Sequence, residues 1–320
     1  MTEIPITPLR VLDASSVSTV EDIQEPVVIR GLQTGWPALE LWNAEYFRHR
    51  YGDHTVQVRE YESGEEYTYE YAQLPLADVL EFWENSPVDP ESTGPRKYLA
   101  GWNFVRDCPE LLEDFRVPGI FSQDCIDRLP EQVRFGRMWL FFGEPGCSTG
   151  IHTDTFSTSA WLAVLQGTKS VRFVGPEAHA EWRPTDSMWS QDTYDEVIRD
   201  TGQPLYEVTL RPGDTLYIPA DWFHEVRNPE RNIMLTANFA EEGRLLSFLD
   251  QFETRLIEPI STLRRTRNAH VRKLAERGGA VELSDPAFRA RQLDWVREAM
   301  TDLRTYEDAL ITWDETSDAR

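Results

Sequence analysis

The stretch GCSTGIHTDTFSTSAWLAVLQGTKSVRFVGP, residues 146–176, decides the fold of this chain. Two short strand-like runs follow each other in it, and its first part contains His152 and Asp154. Side chains at positions i and i+2 of a strand point to the same face of the sheet, so an imidazole and a carboxylate converge there. Taken alone, the pair has a second interpretation, because a single histidine in a strand is usually structural.

A third metal ligand is available further along the chain, in RPGDTLYIPADWFHEVRN, residues 211–228. Turn signals flank a short strand, residues 215–218, and the second turn leads directly to His224. In an antiparallel barrel, a histidine in this position can reach back across the sheet to His152 and Asp154. Together the three residues predict a facial triad of two histidines and one carboxylate, the arrangement that non-haem Fe(II) oxygenases use.

Lys169 follows the triad segment in the strand-like run QGTKSVRF, and it is one of only three lysines among 32 basic residues. A solvated strand lysine is the ordinary interpretation of such a residue. An ammonium that points inward needs an anion to offset its desolvation, and a dicarboxylate cosubstrate would supply one. The scarcity of lysine and the position behind the triad favour the inward orientation.

Short strand-like runs separated by turn signals fill the middle of the chain, and a long polar excursion at 183–200 interrupts them. Such a pattern predicts an antiparallel sandwich or barrel. The predicted strands are 137–142, 159–165, 170–174, 206–210, 215–218 and 233–239.

The two ends of the chain have different patterns. Before the barrel, the sequence predicts a strand at 26–32, helices at 42–51 and 76–83, and a hairpin formed by 54–60 and 66–71. After residue 242, apolar residues at helical spacing predict helices at 243–276 and 286–310. Their apolar stripes must be buried, either on the barrel or in a homodimer, and the pattern leaves both open.

Composition limits the partners and the location. The chain has 55 acidic and 32 basic residues, a net charge of -23, which disfavours nucleic acid. The acidity is explained by solubility or by a cationic substrate. No apolar run is long enough for a membrane span, and no secretory signal is visible at the N-terminus. Three cysteines without a CxxC pair fit a reducing, cytoplasmic location. The preference for arginine over lysine suggests a GC-rich bacterial genome.

These motifs resemble the JmjC (Jumonji C-terminal) family of cupin-fold 2-oxoglutarate oxygenases. The most similar branch is that of the lysyl hydroxylases, once called the phosphatidylserine receptor. In that branch the motifs GTGIHxD, TSAW and QGxK follow one another, and here the corresponding stretch is STGIHTDTFSTSAWLAVLQGTKSVRF. PGDTLYIPADWFHEVRN resembles the second metal segment, and LTANF the closing strand. The resemblance covers about residues 24–240. It implies a mainly β fold, a double-stranded β-helix (jelly roll) with N-terminal α/β elements and a C-terminal helical appendage.

The resemblance also assigns roles to residues and implies the cofactors Fe(II), 2-oxoglutarate and O2. His152, Asp154 and His224 would ligate the iron. Lys169 would bind the distal carboxylate of 2-oxoglutarate. Thr149 and Tyr98 would help Lys169 to bind that carboxylate. Thr236 and Asn238 would line the cofactor pocket. Leu162 departs from the pattern, because the subgroup commonly has asparagine there.

The expected organisation is a catalytic domain, 1–242, and a helical segment, 243–320, that could mediate dimerisation. Within the first, the core covers about 95–240 and decorating elements cover 1–94.

The expected reaction is hydroxylation of a C–H bond in an amino-acid side chain, with release of succinate and CO2. The substrate would be a protein, a peptide or an amino-acid-derived small molecule. The alternatives are N-demethylation by the same chemistry, a non-catalytic binding protein, and a cupin enzyme that uses its metal without 2-oxoglutarate. An acidic rim for a cationic substrate would come from the predicted hairpin, whose other interpretation is a solvated face; its glutamates are Glu60, Glu62, Glu65, Glu66 and Glu70.

Overall fold

The computed structural model describes residues 4–61, 69–92, 94–129, 136–178, 186–252 and 254. The chain divides into two compact units, 1–123 with 136–243, and 124–135 with 244–320. All the strands described lie in the first unit. The described part of the second unit contains a 3-10 turn and a helical run over 245–252, in which the rings of Phe248 and Phe252 stack 5.6 Å apart.

The strands are numbered β1 to β14 and the α-helices α1 to α6 in chain order. The strands are β1 Ile6–Pro8, β2 Arg10–Asp13, β3 Val27–Arg30, β4 Thr55–Tyr61, β5 Tyr69–Pro75, β6 Arg96–Trp102, β7 Met138–Gly143, β8 Ser148–His152, β9 Ser159–Gln166, β10 Lys169–Val174, β11 Leu205–Leu210, β12 Asp214–Ile218, β13 Phe223–Arg227 and β14 Asn232–Phe239. The helices are α1 Ala38–Leu41, α2 Ala44–Tyr51, α3 Leu76–Asn85, α4 Phe104–Asp107, α5 Gln191–Thr193 and α6 Arg199–Thr201, with a π turn, Tyr194–Ile198, between the last two. Single 3-10 turns are Ala14–Ser16, Pro109–Asp114, Gly119–Phe121, Cys125–Arg128, Thr155–Ser157 and Glu242–Arg244.

The last eight strands form the predicted double-stranded β-helix. One sheet contains the order β7-β14-β9-β12 and the other the order β8-β13-β10-β11. The chain therefore passes repeatedly between the two sheets, as in a jelly roll. N-terminal strands extend both sheets: β1 pairs with β11, while β3 and β2 continue one edge of the larger sheet, and β6, β4 and β5 continue the other.

Strand β9 separates two hydrophobic cores, because both of its faces are buried. Leu162 and Val164 pack between the two sheets with Phe173 of β10. The alternate residues, Trp161 and Ala163, face the other side of the larger sheet, in the same cluster as residues of α1, α2 and α3. A strand covered on both faces must be apolar throughout, which explains the continuous run SAWLAVL.

We expect Trp161→Ala to destabilise the protein by about 3–5 kcal/mol, because it removes a large buried side chain. The indole is 1% exposed and stacks on Phe121 at 6.0 Å. Urea denaturation followed by circular dichroism measures the change. Tyr71→Ala is the control, since Tyr71 is 60% exposed and its loss is expected to cost no more than about 0.5 kcal/mol. Equal effects of the two substitutions would contradict this account of the core.

Most predicted elements agree with the structure, and the differences have local causes. The helix predicted at 42–51 begins at Ala44, because the Asn43 side chain accepts a hydrogen bond from the Tyr46 backbone N–H at 2.9 Å and caps it. The sequence missed the short strands β1 and β2. It also missed β6 and β13, whose runs RKYLAGW and FHEVR mix charged and apolar residues without clean alternation. Among the described residues, none of the helices has the length and apolar composition needed to cross a bilayer.

The C-terminal predictions remain open. The helices predicted at 243–276 and 286–310 lie outside the described residues, except for 245–252 and 254, which are helical. The domain boundary after residue 242 and the homodimer therefore stay predictions.

Candidate active site

A cavity of about 620 Å³ lies between the two sheets of the jelly roll. Its wall contains side chains from both sheets, and Leu162 is one of them. The structure brings all of the sequence-predicted site residues to this one cavity: Tyr98, Thr149, His152, Asp154, Lys169, His224, Thr236 and Asn238.

Two histidines on paired strands and one carboxylate converge at this cavity. His152 is the last residue of β8 and is the cross-strand partner of His224 in β13, with ring centroids 4.1 Å apart. Asp154 lies two residues beyond the end of β8, whereas the sequence predicted a position within the strand. Its backbone is still extended, so its side chain reaches the same site. One ligand atom from each of the three residues lies within 4.8 Å of the other two.

Backbone hydrogen bonds orient both imidazoles. Nδ1 of His152 lies 2.8 Å from the carbonyl oxygen of Gly150, and Nδ1 of His224 lies 3.0 Å from that of Trp222. A carbonyl can only accept, so each Nδ1 carries a proton, and Nε2 is the ring nitrogen left to bind a metal. Desolvation and the neighbouring His224 lower the pKa of His152 to about 3, which keeps its ring neutral. Two imidazole nitrogens and a carboxylate oxygen fit a divalent transition metal such as Fe(II).

Lys169 points inward, with its side chain completely buried. Its Nζ donates a hydrogen bond to the Tyr98 hydroxyl at 2.8 Å and lies 5.4 Å from the centroid of the Phe141 ring. None of the ion pairs among the described residues involves Lys169. A buried ammonium without a carboxylate partner is costly, so this position fits a bound anion.

The turn before Lys169 depends on glycine. Gly167 has φ +68°, and a Cβ there would lie 1.9 Å from the carbonyl oxygen of Arg231. Only glycine fits this close approach. The tight turn ends β9 and starts β10 at Lys169, and β10 pairs with β13, the strand that contains His224.

Thr236 and Asn238 contact the protein itself as well as lining the cavity. The Thr236 hydroxyl donates to the Trp161 carbonyl oxygen, and Asn238 Nδ2 donates to the Thr158 hydroxyl, both at 2.8 Å. These bonds hold β14 against β9 and its preceding turn. The role of the two residues in cosubstrate binding stays a prediction.

Sequence reasoning missed one wall of the cavity, formed by Arg59, Tyr61 and Tyr69 of the β4–β5 hairpin. Pairing of β4 with β6 places Arg59 opposite Tyr98. The alternation of HTVQVRE indicated a strand whose odd-numbered residues share a face, but the prediction gave a role only to the neighbouring glutamates. Residues within 1–94 therefore do more than decorate the barrel, since they line the site.

The predicted acidic rim has little support in the described residues. The carboxylate of Glu60 forms an ion pair with Lys97, so it is engaged within the protein. Glu70 is exposed on β5. The other three glutamates, Glu62, Glu65 and Glu66, lie outside the described residues.

Comparison with known proteins adds independent information about this chain. The family model described as "Cupin-like domain" matches residues 16–244. The chain is similar to the arginine-specific demethylase JMJ22 of Arabidopsis thaliana, with 29% identity over 246 residues, 73% of this chain and 45% of the relative. It is 26% identical over 236 residues to the bifunctional arginine demethylase and lysyl-hydroxylase psr-1 of Caenorhabditis elegans, covering 69% of this chain and 56% of psr-1.

A third relative is the lysine-specific demethylase 8 of Danio rerio, which is 30% identical over 220 residues, 65% of this chain and 52% of the relative. The chain thus spans about half the length of these curated relatives. The part of the chain that the family model matches, residues 16–244, contains the jelly roll and the strands that line the cavity.

Proposed function

Because this chain belongs to the cupin-like domain family, we propose that it is an Fe(II)- and 2-oxoglutarate-dependent oxygenase. It hydroxylates a C–H bond of an amino-acid side chain and releases succinate and CO2. The observation that carries the proposal is the combination, in one cavity, of a His-Asp-His triad and a buried lysine that forms no ion pair with any described residue.

The triad holds the metal in this proposal. Nε2 of His152, Nε2 of His224 and the Asp154 carboxylate would hold the ion. Bound Fe(II) supplies, with 2-oxoglutarate and O2, the oxidative decarboxylation that makes C–H hydroxylation accessible. The protein contributes the orientation of the ligands, which the backbone carbonyls of Gly150 and Trp222 maintain.

Lys169 and Tyr98 bind the cosubstrate in this proposal. Lys169 and the Tyr98 hydroxyl are already hydrogen-bonded to each other, so they form a preorganised site for the distal carboxylate of 2-oxoglutarate. Thr149 lines the same cavity. Apolar side chains, among them Leu162 and Met234, complete the wall and exclude water from the reacting groups.

The prime substrate we propose is a protein, a peptide or an amino-acid derivative. The names of the relatives support this class, because they refer to arginine demethylase, lysine demethylase and lysyl-hydroxylase activities. Demethylation uses the same chemistry, with the hydroxylated N-methyl carbon lost as formaldehyde. Succinate without formaldehyde would identify hydroxylation, and equal amounts of both would identify demethylation.

Visible absorption of the anaerobic protein with Fe(II) and 2-oxoglutarate tests the cofactor assignment. We expect a weak metal-to-ligand charge-transfer band, since a chelated keto acid on Fe(II) produces one. Succinate release with arginine- and lysine-containing peptides and amino acids then searches for the substrate. If correctly folded protein gives no band, the proposed function fails, and a cupin that uses its metal without 2-oxoglutarate or a non-catalytic barrel replaces it.

A further inference from the structure

The β4–β5 wall of the cavity carries a second cation, Arg59, that the proposed reaction does not use. Its guanidinium lies 4.7 Å from the centroid of the Tyr69 ring, and Nη1 donates to the Thr149 hydroxyl at 3.4 Å. Its Nε is buried and has no hydrogen-bond partner among the described residues. None of the ion pairs in the described part of the chain includes Arg59. A positive charge in a cavity wall that forms no ion pair among the described residues is suited to an anion.

The two cations of the cavity differ in exposure. Lys169 is completely buried, whereas Arg59 and Tyr69 are partly exposed and Tyr71, next on the same strand face, is 60% exposed. The exposure of the wall thus increases from the buried Lys169, through Arg59 and Tyr69, to Tyr71. Arg59 therefore lies closer to solvent than Lys169 does in this wall.

The described part of the cavity wall has no matching site for a cation. Asp154 is the one carboxylate among the described residues that line it, and the triad uses that group for the metal. A lysine or arginine side chain of a substrate would therefore meet Arg59 without a counter-charge in the described wall. Like charges that face each other in a partly buried site disfavour binding.

We propose that Arg59 binds a carboxylate of the prime substrate, so that the substrate is a carboxylate-bearing amino acid or peptide. This inference rests on the proposed function and specifies its substrate class. A guanidinium offers two parallel N–H donors to a carboxylate, and stacking on Tyr69 holds the group in place. The carboxylate comes either from a free α-carboxyl group or from an aspartate or glutamate side chain.

Thermal unfolding of the anaerobic Fe(II) and 2-oxoglutarate complex tests the proposal without knowledge of the full substrate. The probes are the common L-amino acids at millimolar concentration, each as the free acid, the N-acetyl acid and the N-acetyl amide. A ligand that binds the folded state raises Tm by mass action. We expect a rise with at least one carboxylate probe and none with its carboxylate-free amide. A rise with N-acetyl aspartate amide or N-acetyl glutamate amide would identify a side-chain carboxylate. A rise with acids and with none of the amides would identify an α-carboxylate.

Substitution of the arginine assigns the effect to this residue. Arg59→Met is expected to lower the affinity for the carboxylate probe on the order of ten- to a hundredfold. The affinity for 2-oxoglutarate, measured from the absorption band, is expected to stay unchanged. Arg59→Lys should keep part of the affinity, because the charge remains and the two-donor geometry is lost. Arg10→Met, at an exposed residue of β2, is the matched control.

Three results would overturn the inference. No carboxylate probe raises Tm, or the rise in Tm persists in Arg59→Met, or Arg59→Met lowers the affinity for 2-oxoglutarate as strongly as Lys169→Met does. The last result would place Arg59 in the cosubstrate site. Failure of the proposed function is a separate observation, since it appears as a missing absorption band in the wild-type protein. If that band is missing, the Tm measurements still show whether the carboxylate probes bind.

Discussion

Asp154→Ala is expected to lower the turnover of 2-oxoglutarate by more than about a hundredfold, because loss of groups that merely orient metal ligands already costs about 10- to 100-fold. The substitution leaves two imidazoles at the site and removes the anionic ligand that lies within 4.8 Å of both. Iron binding should weaken together with turnover. Succinate release and iron titration of the purified variant measure the two effects.

The folded state should survive this substitution, since Asp154 is only partly buried and follows the end of β8. Unchanged near-UV circular dichroism would establish that. Asp53→Ala removes a carboxylate at an exposed position after α2 and is the matched control, with no expected effect on turnover. Full activity of Asp154→Ala would remove the carboxylate from the metal site and with it the proposed triad.

Lys169→Met should separate cosubstrate binding from stability. Methionine fills a similar volume without the charge, so the affinity for 2-oxoglutarate is expected to fall about ten- to a hundredfold, as for loss of a charge-assisted hydrogen bond. Without 2-oxoglutarate, the free energy of unfolding should rise by about 1 kcal/mol or more, because the uncompensated desolvation of a buried ammonium is removed. The absorption band titrated with 2-oxoglutarate measures the first effect, and urea denaturation measures the second.

Lys97→Met is the matched control for this experiment. Lys97 lies in β6 next to Tyr98, but its ammonium is paired with Glu60 and it does not line the described cavity. We expect it to leave the affinity for 2-oxoglutarate unchanged. If Lys169→Met binds 2-oxoglutarate as tightly as the wild type, Lys169 does not belong to the cosubstrate site. A loss of stability in Lys169→Met would show that the hydrogen bond to Tyr98 outweighs the desolvation of the ammonium.

The jelly roll and its family were predictable from the sequence, and both are confirmed. Six predicted strands of the barrel correspond to observed strands, because turn signals and runs of β-branched or apolar residues are local properties. The motifs around His152 and His224 also predicted that the triad residues share one site, and the three side chains do converge. Asp154 was wrongly predicted to lie inside a strand, although its extended backbone keeps it on the predicted face.

Two local patterns were interpreted less well. Strand β6 was missed, so the sequence offered no geometric reason for Tyr98 to approach Lys169, and only the resemblance suggested it. The hairpin around residue 60 was recognised, but its glutamates rather than Arg59 were given a role. Charge composition indicated an acidic surface, whereas the described cavity wall carries two cations, Arg59 and Lys169.

The sequence by itself determined six strands of the barrel, the shared site of His152, Asp154 and His224, and the residue types that could ligate a metal. Period-two alternation and turn residues act over a few positions, so one sequence suffices to identify them. Tertiary structure alone decided that the hairpin joins the larger sheet, that Arg59 faces Tyr98, and that the Lys169 ammonium donates a hydrogen bond to Tyr98. Those facts depend on pairing between strands far apart in the chain and on packing between two sheets, and no local pattern contains the energies of such contacts.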